Sequence, residues 1–236
     1  MATHDPEALR DRPIRTFGRT GGRALSPRQQ NLLDTQLDRW RLPAPVAPVA
    51  QGLDPRSLFP GTRAVWLEIG FGGGEHLVAQ AGDHRETGFI GCEPFVEGVA
   101  KALAGIEERE LTNVRLWPDD ARLLLDAFAP ASIERAFILF PDPWPKRRQQ
   151  KRRLVQPDFA AALRRVIAPG GQVRFATDVA SYADEALLTF LQNGGFEWTA
   201  EAADDWRRPP SDHVTTRYET KKLGDCAPVW YDFTCI

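Results

Sequence analysis

Cysteine, histidine and long apolar runs are scarce in this sequence, and each shortage removes a class of protein. The three cysteines, Cys92, Cys226 and Cys235, are odd in number and no two stand two residues apart, which argues against both a disulfide scaffold and a zinc ribbon. The four histidines, His4, His76, His84 and His213, form no HxxH or HxxxH pair, so no metal is expected. No apolar run approaches the roughly 18 residues a membrane span needs, and the longest β-like run is Ala136 to Phe140. The opening Met1-Ala-Thr-His-Asp-Pro-Glu7 has no basic stretch followed by an apolar one, so no secretory signal is visible. A soluble, metal-free chain in the reducing cytoplasm is the expectation.

What is present is ordinary globular material: 236 residues, 42% hydrophobic, 26% charged and 10% aromatic. That length fits one large domain, or one domain with an extension. The net charge of −2 conceals an uneven distribution. Residues 1–60 hold nine Arg against six acids, and residues 146–153 hold six cations (Lys146, Arg147, Arg148, Lys151, Arg152, Arg153), leaving the rest of the chain outside that octet at −8. Such a chain can bind a polyanion at one edge while staying acidic elsewhere. Taken alone, the octet reads equally as a solvated loop or helix start.

Residues 1–60 are expected to form an Arg-rich arm, a helix over Pro27–Trp40 with Leu32, Leu33, Leu37 and Trp40 on one side, and a stiff connector with prolines at 43, 45, 48, 55 and 60. Residues 61–236 are expected to be the globular domain. There, strand signals at 64–69, 87–93, 114–117, 135–140 and 172–176 alternate with helical spacing, and two further strand-like runs lie at 196–199 and 229–234. Strands separated by helices imply right-handed βαβ crossovers and a mostly parallel sheet, an α/β fold.

In such sheets ligands bind beyond the carboxyl ends of the strands. After the first strand comes Glu68-Ile-Gly70-Phe-Gly72-Gly-Gly74, where glycines permit a sharp turn and a close approach to a ligand; a plain tight turn is the alternative. A dinucleotide fingerprint wants Gly or Ala where Glu75 stands, and that carboxylate would repel a pyrophosphate. A positively charged ligand without phosphate, such as S-adenosylmethionine, fits better. Glu93, after the second strand, suits the hydroxyls of a ribose. Asp119 and Asp120, after the third, suit either an adenine amino group or the cap of the helix at Ala121. After the fourth comes Phe140-Pro-Asp142-Pro-Trp144-Pro-Lys146, a carboxylate held between two prolines beside an aromatic. The basic octet follows at once, and an aromatic at a cationic groove is what stacking on a base and neutralising phosphates require.

From about Ala64 to the C-terminus the chain resembles the bacterial tRNA (guanine-N7-)-methyltransferases. The motifs that carry the likeness are Leu67-Glu-Ile-Gly-Phe-Gly-Gly-Gly74, Gly91-Cys-Glu93, Pro141-Asp-Pro-Trp-Pro-Lys146 running on to Lys151-Arg-Arg153, Ala176-Thr-Asp178 and Thr216-Arg-Tyr-Glu219. The Asp-Pro-Trp-x-Lys stretch followed by Lys-Arg-Arg is the most specific. Cys92 stands where the family often has an aliphatic residue, and residues 1–60 match nothing informative. The resemblance implies a class I, Rossmann-like S-adenosylmethionine-dependent fold with a mostly parallel seven-stranded sheet, and methylation of the variable-loop guanine of tRNA, position 46. It implies that Glu68, Gly70, Gly72, Glu93, Asp120 and Asp142 bind the cofactor, with Asp142 also catalytic. Lys146, Asp178, Thr216, Arg217, Tyr218 and Glu219 are implied to contact substrate, and Arg148, Lys151, Arg152 and Arg153 to bind RNA. tRNA is the expected partner, with no membrane and no obligatory protein partner.

The chemistry is arguable independently. Guanine N7 has an in-plane lone pair and no proton, so its methylation needs no general base. Positive charge moves from the sulfonium to the purine, and a pre-placed carboxylate stabilises it there; Asp142 or Glu219 is expected to take the guanine N1–H and N2–H. Asp178 as a helix cap and Glu219 as a surface ion-pair partner are the bland alternatives. Rival functions are a methyltransferase for another base or small molecule, a tRNA-binding module that has lost catalysis, and a nicotinamide-dependent dehydrogenase, which Glu75 disfavours.

Overall fold

The computed structural model describes residues 17–18, 21–22, 24–43 and 52–236. Most of the expected Arg-rich arm, and the part of the connector from 44 to 51, lie outside the described residues. Seven strands, β1 (Ala64–Ile69), β2 (Thr87–Cys92), β3 (Val114–Trp117), β4 (Ile133–Leu139), β5 (Ile167–Thr177), β6 (Phe196–Trp198) and β7 (Val229–Cys235), form one sheet in the order β3-β2-β1-β4-β5-β7-β6. The first five run parallel, and β7 lies antiparallel between β5 and β6. The strand order reverses between β1 and β4, which is where an open α/β sheet forms its ligand crevice.

Among the described residues seven helices accompany the sheet: α1 (Pro27–Trp40), α2 (Glu75–Asp83), α3 (Val96–Glu108), α4 (Ala121–Ala127), α5 (Pro157–Val166), α6 (Ala180–Gln192) and the single turn α7 (Asp204–Arg207). Alternation along the strands assigns the two faces. Val65, Leu67, Ile69, Ala136, Ile138, Val173 and Phe175 pack under α4, α5 and α6, with Leu124, Leu163, Tyr182 and Phe190 pointing back at them. The opposite face of β3-β2-β1 is covered by α1, α2 and α3 through Leu77, Phe89, Val99 and Leu103.

Helix α1 begins where its sequence says it should. Ser26 accepts the Gln29 N–H, the Gln29 side chain accepts the Ser26 N–H, and Pro27 occupies the first turn, a reciprocal cap that satisfies two otherwise orphaned donors. Leu32 and Trp40 are buried in the same cluster as α2 and α3, and the Leu42 N–H donates to the Leu116 carbonyl on β3. Residues 27–42 are therefore built into the core of the domain.

The remaining face, over β4-β5-β7, carries no long helix among the described residues. The chain from 208 to 221 lies there instead, with Tyr218 on Phe137, Leu139, Phe140, Ala176 and Trp230. Strand β5 starts at Ile167, ahead of Gly170-Gly171, where the sequence suggested that the preceding helix ends and a strand starts only at Gln172. Ile167 pairs with Ile133, and the register shift that follows is absorbed with Gly170 at φ 77°, a conformation glycine adopts without steric cost.

Leu67 is fully buried at the centre of the sheet. Leu67→Ala should lower the unfolding free energy by about 2–5 kcal/mol, as cavity-forming core truncations do, and urea denaturation of the two proteins side by side measures it.

Candidate active site

The carboxyl ends of β1, β2, β3 and β4 open into a single cleft of about 900 Å³. Strand β1 delivers Glu68 and then the glycine loop, in which Gly70, Gly72 and Gly74 have φ values of 77°, 55° and 81°. The loop is pressed against α3. A Cβ on Gly98 would come 2.1 Å from the Gly72 carbonyl oxygen, and one on Gly74 would come 2.8 Å from the Ala102 Cβ. The contact thus needs glycine on both sides, at Gly98 of α3 and at Gly74 at the end of the loop.

Glu93, at the end of β2, ties this assembly together. Its Oε2 accepts the Gly72 N–H at 2.7 Å and its Oε1 accepts the Phe95 N–H at 2.9 Å. Burial is the largest influence on its carboxyl group, which is pushed up to about 7; the two backbone donors oppose the rise, and the nearby Asp142 and Glu68 carboxylates add to it. Glu68 is also buried, with the Nδ1 of equally buried His76 at 2.8 Å from its Oε2. Asp120 is the N-cap of α4: it accepts the Arg122 N–H at 3.0 Å and the Arg122 guanidinium at 2.9 and 2.7 Å. The capping alternative is therefore realised at Asp120, which at the same time faces the cleft.

Asp142 stands exposed at the mouth on the Pro-flanked turn, where Phe140 and Trp144 have φ of 51° and 41°. Such values are costly for non-glycine residues and persist only where the surroundings enforce them. Arg153 supplies part of that enforcement, and here the structure corrects the expectation of RNA binding. Its side chain is wholly buried. It donates to the Pro143 carbonyl at 3.0 Å, to the Ser181 carbonyl and hydroxyl at 2.9 and 2.7 Å, and to Glu185, and it lies over the Tyr182 ring. A guanidinium so committed inside the protein fixes the turn and presents nothing to a nucleic acid. The rest of the octet forms a 3₁₀ turn, Arg147–Arg152, with Lys146, Arg147, Arg148 and Lys151 exposed. The Arg152 guanidinium lies 5.0 Å from the Trp144 ring centre and 5.2 Å from that of Phe17.

The cleft brings together Glu68, Gly70, Gly72, Glu93, Asp120, Asp142, Lys151, Arg152, Thr216, Arg217 and Tyr218, and Arg153 also borders it, with its side chain buried. Lys146, Arg148, Asp178 and Glu219 are not among its lining residues. Asp178 is buried and accepts the Tyr218 hydroxyl at 3.2 Å, so it reaches the cleft through that ring. It does not cap α6, whose first amides are held by Thr177 and Asp225. Burial, followed by the Asp178 charge, raises the Tyr218 phenol to about 12. Glu219 turns back on its own loop, 2.9 Å from His213 Nε2 and accepting the Thr216 N–H at 2.8 Å. Burial favours its neutral form, but these partners prevail and hold it below the usual carboxylate range. The expected direct contact of Glu219 with guanine is not what this geometry offers; of the two carboxylates considered, Asp142 is the one at the cleft.

Acids gather at the inner end of the cleft, while its exposed rim carries both signs. Glu68, Glu93 and Asp120 are buried, whereas the cations Lys151, Arg217 and Lys221 are exposed, as are Asp119, Asp142 and Asp158. Lys101 and Arg122 also line it, paired with Glu97 and Asp120. His76, Lys101, Arg122, Lys221 and Phe17 were not singled out in the sequence. The first three lie within two turns of the helix starts that follow β1, β2 and β3, which is the signal that could have found them. A glycine-cradled, acidic inner end fits S-adenosylmethionine, whose amino and sulfonium groups are positive and whose ribose and adenine offer donors.

Among the described residues no helix is long and apolar enough to cross a membrane, and no cluster of His, Cys, Asp and Glu suits a metal ion. Fold and cleft define an S-adenosylmethionine-dependent methyltransferase of class I. Residues 62–230 match a family described as putative methyltransferase. The fold is shared at 18% identity with an antibiotic-resistance methyltransferase, Kmr (TM-score 0.53, covering 78% of this chain and 92% of that one). It is shared at 14% with a 16S rRNA (adenine(1408)-N(1))-methyltransferase from Catenulisporales acidiphilia (TM-score 0.53, 78% and 94%). Much nearer in sequence are tRNA (guanine-N(7)-)-methyltransferases. That of Hyphomonas neptunium is 61% identical over 93% of this chain and 99% of its own, and that of Caulobacter vibrioides 53% over 94% and 95%. The chain belongs to the tRNA (guanine-N(7)-)-methyltransferase family.

The raised Glu93 carboxyl has a consequence for stability. Its folded value of about 7 exceeds the ordinary 4.5, so the folded state binds the proton more tightly and stability declines as pH rises from about 4.5 to 7, remaining depressed above that. Glu93→Gln should remove this slope, so its stability relative to wild type should improve between pH 5 and pH 8 by at most about 3 kcal/mol. Urea titrations at the two pH values test it; parallel behaviour of the two proteins would contradict it.

Proposed function

We propose that this protein transfers the methyl group of S-adenosylmethionine to N7 of a tRNA guanine, the variable-loop guanine at position 46. The observation that carries the reading is one cleft with a buried, acidic inner end and a mouth where exposed cations and aromatic rings stand beside Asp142. The inner end suits a cationic cofactor and the mouth a polyanion. The names of the relatives supply the tRNA and the N7 position.

When bound, the cofactor supplies an electrophilic methyl group. Glu68, Gly70, Gly72, Glu93 and Asp120 hold it, Glu93 and Asp120 toward its nucleoside and the glycine loop by close backbone approach. Asp142, fixed by its prolines and by Arg153 behind Pro143, accepts the guanine N1–H and N2–H and so turns N7 inward. The same carboxylate faces the positive charge that develops on the purine, which is worth most in a partly desolvated site. No residue removes a proton from N7, because N7 has none. Trp144 and the stacked pair Phe140–Tyr218, 5.6 Å between ring centres, wall the base. Thr216 and Arg217 contact substrate directly, Asp178 and Glu219 act by holding Tyr218 and Thr216, and Lys146, Arg148, Lys151 and Arg152 meet phosphates. Residues 61–236 do this work, the Arg-rich segment before them adds positive charge, and the protein acts in the cytoplasm without an obligatory protein partner.

Incubation with labelled S-adenosylmethionine and unmodified tRNA transcripts should give methyl incorporation that disappears when the variable-loop guanine is changed to adenine. Incorporation into both transcripts would refute the site. Asp142→Asn should lower kcat by about 10²-fold or more while cofactor affinity changes little; unchanged turnover would remove Asp142 from the mechanism.

A further inference from the structure

The segment 208–221 carries Thr216, Arg217, Tyr218 and Lys221 into the cleft, yet it has one short 3₁₀ turn, Glu219–Lys221, and takes the place of a helix on the sheet. Charge holds much of it there. Strands β4, β5 and β7 place Arg135, Arg174 and Asp232 on the face beneath it, where neighbouring positions are apolar. Asp212 bridges the two arginines, taking Arg135 Nη2 at 2.9 Å and Arg174 Nη1, while Arg174 also grips Asp232 with bonds of 2.7 and 2.9 Å. Gln80 of α2 donates to the Asp212 carbonyl at 2.7 Å. The Arg135 and Arg174 side chains are only 13% and 7% exposed.

From Asp212 the chain passes directly to His213, which meets Glu219, and Glu219 accepts the N–H of Thr216 at the cleft. Three buried polar atoms beneath the segment, Gln80 Oε1, Arg135 Nε and Trp230 Nε1, have no hydrogen-bond partner, so the contact has little to spare. Apolar burial is non-directional and tolerates sliding, whereas a carboxylate bridging two guanidinium groups accepts one geometry. Burial pushes the Asp212 carboxyl up, but Arg174 and Arg135 together hold it below the usual range, which keeps the bridge charged at neutral pH.

We propose that Asp212 is a positioning residue that, by bridging Arg135 and Arg174, sets where Thr216, Arg217 and Tyr218 stand and thereby sets the affinity for tRNA. It lines neither the cofactor end nor the mouth of the cleft, and the proposal rests on the reading of this segment as a tRNA contact.

The test compares full-length wild type, Asp212→Asn, Asp212→Glu, Gln80→Met and Arg217→Ala in steady-state methylation of tRNA, with calorimetric binding of S-adenosylmethionine. Asp212→Asn should raise KM for tRNA about tenfold with kcat and cofactor affinity within about twofold of wild type. Asp212→Glu should recover most of that loss. Gln80→Met, which leaves every charge in place, should move KM the same way by a smaller factor. A double variant with Arg217→Ala should be no worse than the more severe single one, because both act through one segment. An unchanged KM in Asp212→Asn beside a raised KM in Arg217→Ala would overturn the proposal alone. An equal loss of cofactor and tRNA binding would reduce Asp212 to a structural role. An unchanged KM in Arg217→Ala would overturn the reading of the segment itself, and the proposal with it.

Discussion

Opposite charges placed in one cleft neutralise each other unless each is anchored elsewhere, and most of this site can be understood as the means of anchoring them. Glu93 gives its two oxygens to the Gly72 and Phe95 amides. Glu68 is met by His76, and Asp120 by its own helix and Arg122. Each buried acid is thus satisfied at short range, Glu68 and Asp120 within their own βα connections and Glu93 by its own and by the neighbouring glycine loop. The exposed cations of the 3₁₀ turn and of 217–221 are left to face outward. An unsatisfied buried carboxylate would cost far more than these local bonds return, so the acids of the inner end require their local partners as much as any ligand does.

The same economy explains why the mouth is built from segments without long helices. The Asp142–Trp144 turn is stiffened by three prolines and by Arg153, whose guanidinium reaches across to the Ser181 carbonyl and to Glu185 on α6. The 208–221 segment is fastened through Asp212 to β4 and β5 and through Tyr218 to Asp178. Rigid strands below and irregular chain above is the usual division of labour in α/β enzymes: the scaffold sets position and the connections carry chemistry. Here ion pairs do for the upper layer part of what apolar packing does for the helices.

Much of this was legible before any coordinates. Alternation of strand and helix signals gave the α/β order from β1 to α6, and reading the residue after each strand found Glu68, Glu93, Asp120 and Asp142, all of which line the cleft. What the sequence could not supply was direction. Arg153 looks like its neighbours in the basic octet, and only the approach of Ser181 and Glu185, about thirty residues on, turns it inward. Glu219 and Asp178 hold residues of the cleft without lining it, because whether a carboxylate faces a cleft or a neighbouring side chain depends on partners far away in the chain. Arg174, in the middle of the run Gln172-Val-Arg-Phe-Ala176, was not singled out in the sequence, yet together with Arg135 and Asp232 it marks the charged face beneath 208–221. Buried charge in a strand almost always has a partner, and that partner was the missing piece.

The division between a buried, acidic inner end and a mouth that carries exposed cations is tested most directly by the salt dependence of binding to each ligand. tRNA binding, dominated by phosphates that release counterions, should weaken on a log–log plot against salt with a slope of about −3 or steeper. S-adenosylmethionine binding to the same protein should show a slope near zero, because buried charges are poorly screened. Parallel slopes for the two ligands, or a flat line for tRNA, would contradict the account.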